Sequence, residues 1–348
     1  MKHVTIGDRK VGEGEPAFMI AEIGSNFDGR LDRARLMVDL ALEAGADAVK
    51  FQSFLPDCII APEGFAERDD FQAKWAKSVY DVYADAVFPR EWHQEIAGYS
   101  EERGLVFLSS PYDAEAVDLL ISLGAPALKI GSGEVSNPPF LRYCASQGVP
   151  LILGVGSATL AEVDEAMRVF QEAGVEDVIL LQCVTSYPSP FEDANLRAMV
   201  TMGRMFDVPV GYSDHAPSHV VPLGAVALGG CVIEKHMTDD RSRPGPDHPF
   251  SLEVDEFREM VEDVRKLETA LGRPTKQIAP AERHTVILQR RSLWAARDIL
   301  KGTVLTKEMV DILRPQKGIL PRDLDKVLGL RSTRDVRSGH PLTWEHFK

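Results

Sequence analysis

The chain is poor in cysteine, has no long apolar run and carries less positive than negative charge. Its four cysteines (Cys58, Cys144, Cys183 and Cys231) are far apart and form no CxxC pair. That excludes a cysteine-based zinc site and points to a reducing, cytoplasmic setting without disulfides. No apolar run reaches the roughly 18 residues of a spanning helix. The opening Met1-Lys2-His3-Val4-Thr5-Ile6-Gly7-Asp8 lacks the apolar stretch of a signal peptide, so no membrane association is expected. Lys and Arg number 39 against 53 Asp and Glu, a net charge of −14. The basic residues are scattered, with no aromatic-interleaved patch, and no nucleic-acid partner is expected.

What is present is globular: 348 residues, 44% hydrophobic and 26% charged, enough for two domains or one large barrel plus an added piece. The charge is uneven. Residues 283–348 hold 14 basic and 7 acidic side chains, net +7, which leaves −21 for residues 1–282. A basic segment on an acidic protein can dock on it or reach toward an anionic ligand.

Strand-length apolar runs alternate with helix-length amphipathic ones. Strands are expected over 18–24, 48–52, 106–110, 127–132, 151–155, 178–184, 208–214 and 232–238. The helices between and after them run over 31–45, 91–104, 114–124, 138–148, 160–174, 194–206, 219–229 and 254–272. Eight βα units in about 255 residues is the size of a (β/α)8 TIM barrel. The alternative is a doubly wound open sheet, but no GxGxxG follows the first strand. Residues 53–89 are too long for an ordinary βα loop and follow the second strand, where a lid is plausible. The predicted division is a barrel domain at 1–272, a linker at 273–282 and a small C-terminal domain at 283–348, with a short strand near 290–296.

Strands of a parallel barrel are buried, and a lone buried charge costs several kcal/mol unless paired or ligated. The exceptions sit toward the C-terminal strand ends: Glu22, Lys50, Gln52, Lys129, Asp214, Glu234 and His236. Barrel active sites lie on that face. An internal salt bridge such as Glu22 with Lys50 is the simpler account of any one of them. Glu234 and His236 point to one side of their strand and Lys235 to the other. His215 ends the neighbouring strand, so two histidines can converge on a divalent metal, with Glu234 and Asp247 near in sequence. Lys50, Lys129 and Gly131-Ser132-Gly133-Glu134 suit a small anion, and Gly154-Val155-Gly156-Ser157 adds backbone N–H donors.

Longer motifs then coincide. Ala21-Glu22-Ile23-Gly24-Ser25-Asn26, Val49-Lys50-Phe51-Gln52, Leu128-Lys129-Ile130-Gly131-Ser132-Gly133-Glu134, Tyr187-Pro188, Gly211-Tyr212-Ser213-Asp214-His215, Ile233-Glu234-Lys235-His236 and Pro244-Gly245-Pro246-Asp247-His248 resemble the N-acetylneuraminate (sialic acid) synthases and the related legionaminic and pseudaminic acid synthases. Residues from Arg291 through Gly318-Ile319 look like their C-terminal antifreeze-like (SAF) domain. The resemblance implies condensation of phosphoenolpyruvate with an open-chain N-acyl hexosamine, typically N-acetylmannosamine, to a nine-carbon 2-keto acid plus phosphate.

Carried over by motif, Lys50, Lys129 and Ser132 hold phosphoenolpyruvate, and His215 and His236 hold Mn or Mg. Glu22 orients or deprotonates near the sugar, with Glu234 beside it as a further catalytic residue. Gln52, Glu134, Ser157 and Ser213 join the substrate-binding set, and Tyr187 and Asp247 contact the sugar. Arg314 reaches in from the partner subunit of a domain-swapped homodimer. The sequence departs from the family at Asn26-Phe27, where the family has Asn-His, and at Gly154-Val155-Gly156, where it has Ser-Thr-Gly. Ser157 or backbone N–H groups are left to replace the missing hydroxyl. Two alternatives stay open: another phosphoenolpyruvate-dependent sugar-acid synthase on this barrel, and a non-catalytic sugar-binding relative.

Overall fold

A computed structural model describes residues 2–65, 72, 75 and 77–348. The chain divides into two compact units, Met1–Gly272 and Arg273–Lys348.

The first unit is a parallel barrel. Its eight strands are Phe18–Glu22, Ala48–Ser53, Val106–Pro111, Leu128–Ile130, Leu151–Gly154, Val178–Cys183, Val210–Asp214 and Val232–Thr238. The first pairs with both the second and the eighth, and the hydrogen-bonded order is 3-2-1-8-7-6-5-4. Pairing of the first strand with the last is what closes a barrel and is absent from a doubly wound sheet. The third and fourth strands pack side by side without a ladder.

Side-chain alternation sorts the two cores. Phe18, Ile20, Ala48, Leu108, Ile152, Ile179, Leu181 and Val232 fill the barrel interior. Met19, Ala21, Val49, Phe51, Leu128, Ile130 and Ile233 face the helices. The bottom of the interior is plugged by Val4, Ile6 and Val11. These belong to an antiparallel hairpin, His3–Ile6 with Arg9–Gly12, turning at Gly7 with φ +60°. Sequence periodicity gave no sign of this hairpin, because four-residue strands are too short to show a period.

Several boundaries are shorter than the sequence suggests. The first strand stops at Glu22, and the fourth at Ile130, where Ser132–Ser136 winds into a 3-10 turn. The helix expected from 194 begins at Leu196, because Asn195 is left-handed, with φ 44°. Residues 53–89 carry short helices at Pro56–Ile59 and Val79–Asp85, with a 3-10 turn at Pro62–Phe65. The lid expectation for this insertion falls partly on 66–71, 73, 74 and 76, outside the described residues. Among the described residues no helix is long and apolar enough to cross a membrane.

The second unit holds an antiparallel ladder of Ser292–Ala295 with Val310–Leu313. It packs around its own core of Leu293, Ile299, Leu305, Ile319, Val327, Leu342 and Phe347. Arg314 follows the second of these strands and is exposed.

Candidate active site

The alternation that fills the barrel floor with Phe18 and Ile20 also turns Glu22 inward, one layer higher. By the same count Lys50 and Gln52 stand above Ala48, Lys129 above Ala127, and Glu234 and His236 above Val232. An apolar floor is thus capped by a polar layer at the C-terminal strand ends. Asp214 belongs elsewhere. It shares a side with Tyr212, which packs toward the helices, and its partner is Lys235, at 2.5 Å. It ends its strand, as expected, but on the helix side rather than in the inward polar layer.

Two lysines and two glutamates form the centre of the layer, all at most 4% exposed. Lys50 Nζ lies 2.6 Å from Glu22 Oε2, 3.7 Å from Glu234 Oε1 and 3.2 Å from Ser110 Oγ. Lys129 Nζ lies 3.3 Å from the same Glu234 oxygen, to which Ser213 Oγ donates at 2.9 Å. Gln52 Nε2 donates to Glu22 Oε1 at 2.7 Å. The Glu22–Lys50 salt bridge anticipated as the simpler account is present, but as part of a four-charge cluster rather than an isolated pair.

The carboxylates of the cluster differ. Burial pushes Glu22 up to about 7, against the pull of Lys50 and with the help of Glu234. Glu234 is buried as deeply, but Lys129, Lys50 and the Ser213 hydroxyl outweigh that burial and hold its carboxyl below the usual range. Two neighbouring carboxyls with opposed shifts mark one as a proton carrier near neutral pH and the other as a fixed anion.

His215 and His236 have ring centroids 5.4 Å apart. Burial lowers His215 to about 4 and holds His236 well below the usual imidazole range, so both are neutral imidazoles. His215 Nδ1 donates to Val184 O at 2.9 Å, which leaves Nε2 as its lone-pair nitrogen. His236 Nδ1 and Glu234 Oε2 are buried without a hydrogen-bond partner among the described residues. Neutral imidazoles and an orphaned nitrogen suit a divalent cation whose remaining ligands are water or substrate. No cluster of three or more His, Cys, Asp or Glu side chains is arranged to hold a metal among the described residues.

A cavity of about 350 Å³ opens beside this layer. Gln52, Glu134, Tyr187, His236 and Asp247 line it. Asp247 Oδ2 accepts from Ser25 N at 2.8 Å and Ser25 Oγ at 2.9 Å. Gly24 has φ +52°, and a Cβ there would run into that oxygen, so glycine is needed. Tyr187 packs on His215 with centroids 4.3 Å apart. Glu134 Oε2 accepts from Asn137 at 2.8 Å.

The two departures from the family motifs resolve differently. Phe27 is fully buried in an aromatic cluster with Phe88 and Trp92 and does not line the cavity. A Cβ on Gly154 would sit 2.7 Å from Ser132 Oγ, so Gly154 makes room for the Ser132 hydroxyl, which accepts from Gly156 N at 3.0 Å. Ser157 is not gathered with the others. It is exposed, hydrogen-bonds Thr185 and lines a separate cleft. Arg314 belongs to the second unit.

Ser110, Tyr112, Phe54 and Tyr83 stand outside the residues expected from the sequence. Ser110 and Tyr112 flank the end of the third strand, and polar residues there were a usable signal. Phe54 and Tyr83 lie in the insertion, whose path no periodicity foretells.

Comparison with known proteins follows the same lines. A model of the NeuB family matches residues 37–276, and one of the SAF domain matches 290–348. The N,N'-diacetyllegionaminic acid synthase of Legionella pneumophila is 38% identical over 349 residues, covering 98% of this chain and 98% of its own. A pseudaminic acid synthase of Campylobacter jejuni is 36% identical over 335 residues, covering 95% and 96%. The solved N-acetylneuraminic acid (sialic acid) synthetase of Leptospira borgpetersenii, in complex with citrate, is 32% identical with a TM-score of 0.73, covering 82% of this chain and 95% of that one.

Proposed function

This chain belongs to the NeuB family and ends in an SAF domain, and from that premise we propose that it condenses phosphoenolpyruvate with an open-chain N-acyl hexosamine to a nine-carbon 2-keto acid and phosphate. The observation that carries the reading is the convergence of buried Lys50 and Lys129 on Glu234, beside a cavity whose lining among the described residues includes no lysine or arginine. Fixed cations suit an anionic phosphate and carboxylate, and the neighbouring cavity suits a neutral sugar.

In this reading C3 of the enol phosphate attacks the aldehyde carbon, forming the carbon–carbon bond, and the aldehyde oxygen takes up a proton. Water adds to C2 of the resulting cation. The C2–O bond to phosphate then breaks, leaving the ketone. Lys50 and Lys129 hold the anion against Coulomb repulsion from the acidic barrel, and the Ser132 hydroxyl stands by Gly156 at the same end. Glu22, with its proton exchangeable near pH 7, takes the proton of the attacking water. His215 and His236 would hold Mn or Mg, which when bound supplies Lewis-acid polarisation of the aldehyde.

The test is phosphate release that requires both phosphoenolpyruvate and a member of a panel of N-acyl hexosamines. With bridging oxygen-18 in phosphoenolpyruvate, the label should leave in phosphate. Release without the sugar, or label kept in the sugar acid, would overturn this reaction.

A further inference from the structure

The polar layer accounts for one end of the cavity. Three aromatic rings form a further part of its wall. Phe54 follows the second strand, Tyr83 lies on the insertion helix Val79–Asp85, and Tyr112 follows the third strand. Phe54 is 4% exposed and stands between the two tyrosines. Its ring is edge-on to Tyr83 at 5.5 Å and 60°, and to Tyr112 at 6.0 Å and 88°. Such contacts fix both phenol rings. Gly131 leaves room for the Tyr112 hydroxyl, which a Cβ there would approach to 3.1 Å.

All three rings line the cavity. Neither Tyr83 Oη nor Tyr112 Oη has a hydrogen-bond partner among the described residues, whereas the Tyr80, Tyr99, Tyr143 and Tyr212 hydroxyls each donate to an oxygen of the chain. Both tyrosines are half-buried, and their hydroxyls are free to donate to a bound molecule. Burial keeps both phenols protonated, so each is a donor. Among the described residues, the ionisable groups lining the same cavity include the carboxyls of Glu134 and Asp247 but no lysine or arginine. A multiply charged anion is repelled there, whereas a neutral molecule with oxygen acceptors and a C–H face is not.

We propose that Tyr83 and Tyr112, locked on either side of Phe54, form the acceptor-recognition element: their hydroxyls donate to oxygens of a neutral, polyhydroxylated N-acyl sugar while the rings cover its C–H face. This rests on the reading of the site given above and adds the residues that select the acceptor. It also gives part of the insertion a role in specificity.

The experiment is steady-state kinetics of Tyr83→Phe and Tyr112→Phe in the full-length enzyme, with phosphoenolpyruvate against N-acetylmannosamine and its diacetamido trideoxy counterpart. Each change deletes one oxygen and keeps the ring, so melting temperatures should match wild type. The acceptor KM should rise about tenfold in each variant, with the phosphoenolpyruvate KM within about twofold. If wild type turns over an acceptor but the variants leave its KM unmoved, or move both KM values together, the inference falls and the reaction stands. If wild type turns over no member of the panel, the reading of the site falls and takes the inference with it.

Discussion

Lys50 Nζ sits 2.6 Å from Glu22 Oε2 inside the barrel, yet the carboxyl of Glu22 is pushed up to about 7. Burial and the second carboxylate of Glu234 outweigh the ion pair. A base is active only when deprotonated, so kcat/KM should rise with pH through about 7 and fall below it. Glu22→Gln should lower kcat by about 10²–10⁴-fold and remove that limb. A pH profile of phosphate release checks both. A Gln variant that kept the limb would assign it to another group.

His93 tests the fold rather than the chemistry. It is fully buried among Phe88 and Phe107, and burial lowers it from 6.5 to about 4. Its Nδ1 meets Pro89 O at 3.2 Å and its Nε2 meets Ser109 Oγ at 3.3 Å. The unfolded chain binds this proton first as pH falls, so the stability is present above 6.5 and lost between 6.5 and about 4. That shift corresponds to about 3 kcal/mol. His93→Gln should flatten the fall of melting temperature from pH 8 to pH 5 relative to wild type. An unchanged slope would mean that His93 does not set it.

The barrel was legible because eight strands each carry the same two-sided pattern, and inward charges such as Lys50 and Glu234 break it at one end. The partner of Asp214 was not legible, because Lys235 lies on the next strand and meets it only once the two strands pair. Tyr83 and Tyr112 were invisible for another reason: they are 29 positions apart and meet only through Phe54. The Ser132 hydroxyl beside Gly154 likewise needs two neighbouring strands to be seen together.

Metal dependence follows from the neutral His215 and His236 rings, 5.4 Å apart. Chelation should abolish turnover, and Mn or Mg should restore it. Titration calorimetry with Mn should show binding to wild type and at least tenfold weaker binding to His236→Ala, with the barrel still folded by circular dichroism. Full turnover in metal-free enzyme would remove the ion from the proposed function.

Residues 283–348 carry +7 against −21 for residues 1–282, which motivates a tail that serves a partner chain in a swapped homodimer. Arg314→Ala should raise the KM of the sugar far more than that of phosphoenolpyruvate. Mixing Arg314→Ala chains with Lys129→Ala chains should restore activity, because one site of each mixed dimer then regains both side chains. A verified heterodimer without rescue, from two inactive parents, would show that the tail does not act in trans.

The last prediction concerns the ion pair on the helix side of the barrel. Lys235 Nζ lies 2.5 Å from Asp214 Oδ2, and the two side chains are 1% and 0% exposed. Lys235 also donates to Ala216 O, and Asp214 Oδ1 accepts from Ala216 N at 3.0 Å. The backbone on both sides of His215 is therefore clasped by one buried pair. Removing one partner strands the other charge, so Lys235→Met should cost about 3–5 kcal/mol in urea unfolding. Replacing both with apolar residues, as in Lys235→Met with Asp214→Leu, should recover most of that loss, because desolvating two charges is expensive even when they meet. Mn affinity should not recover with it, since His215 is then held by neither contact. A double variant no more stable than Lys235→Met would show that the pair is not a desolvated ion pair. A double variant with wild-type Mn affinity would show that the clasp does not position His215.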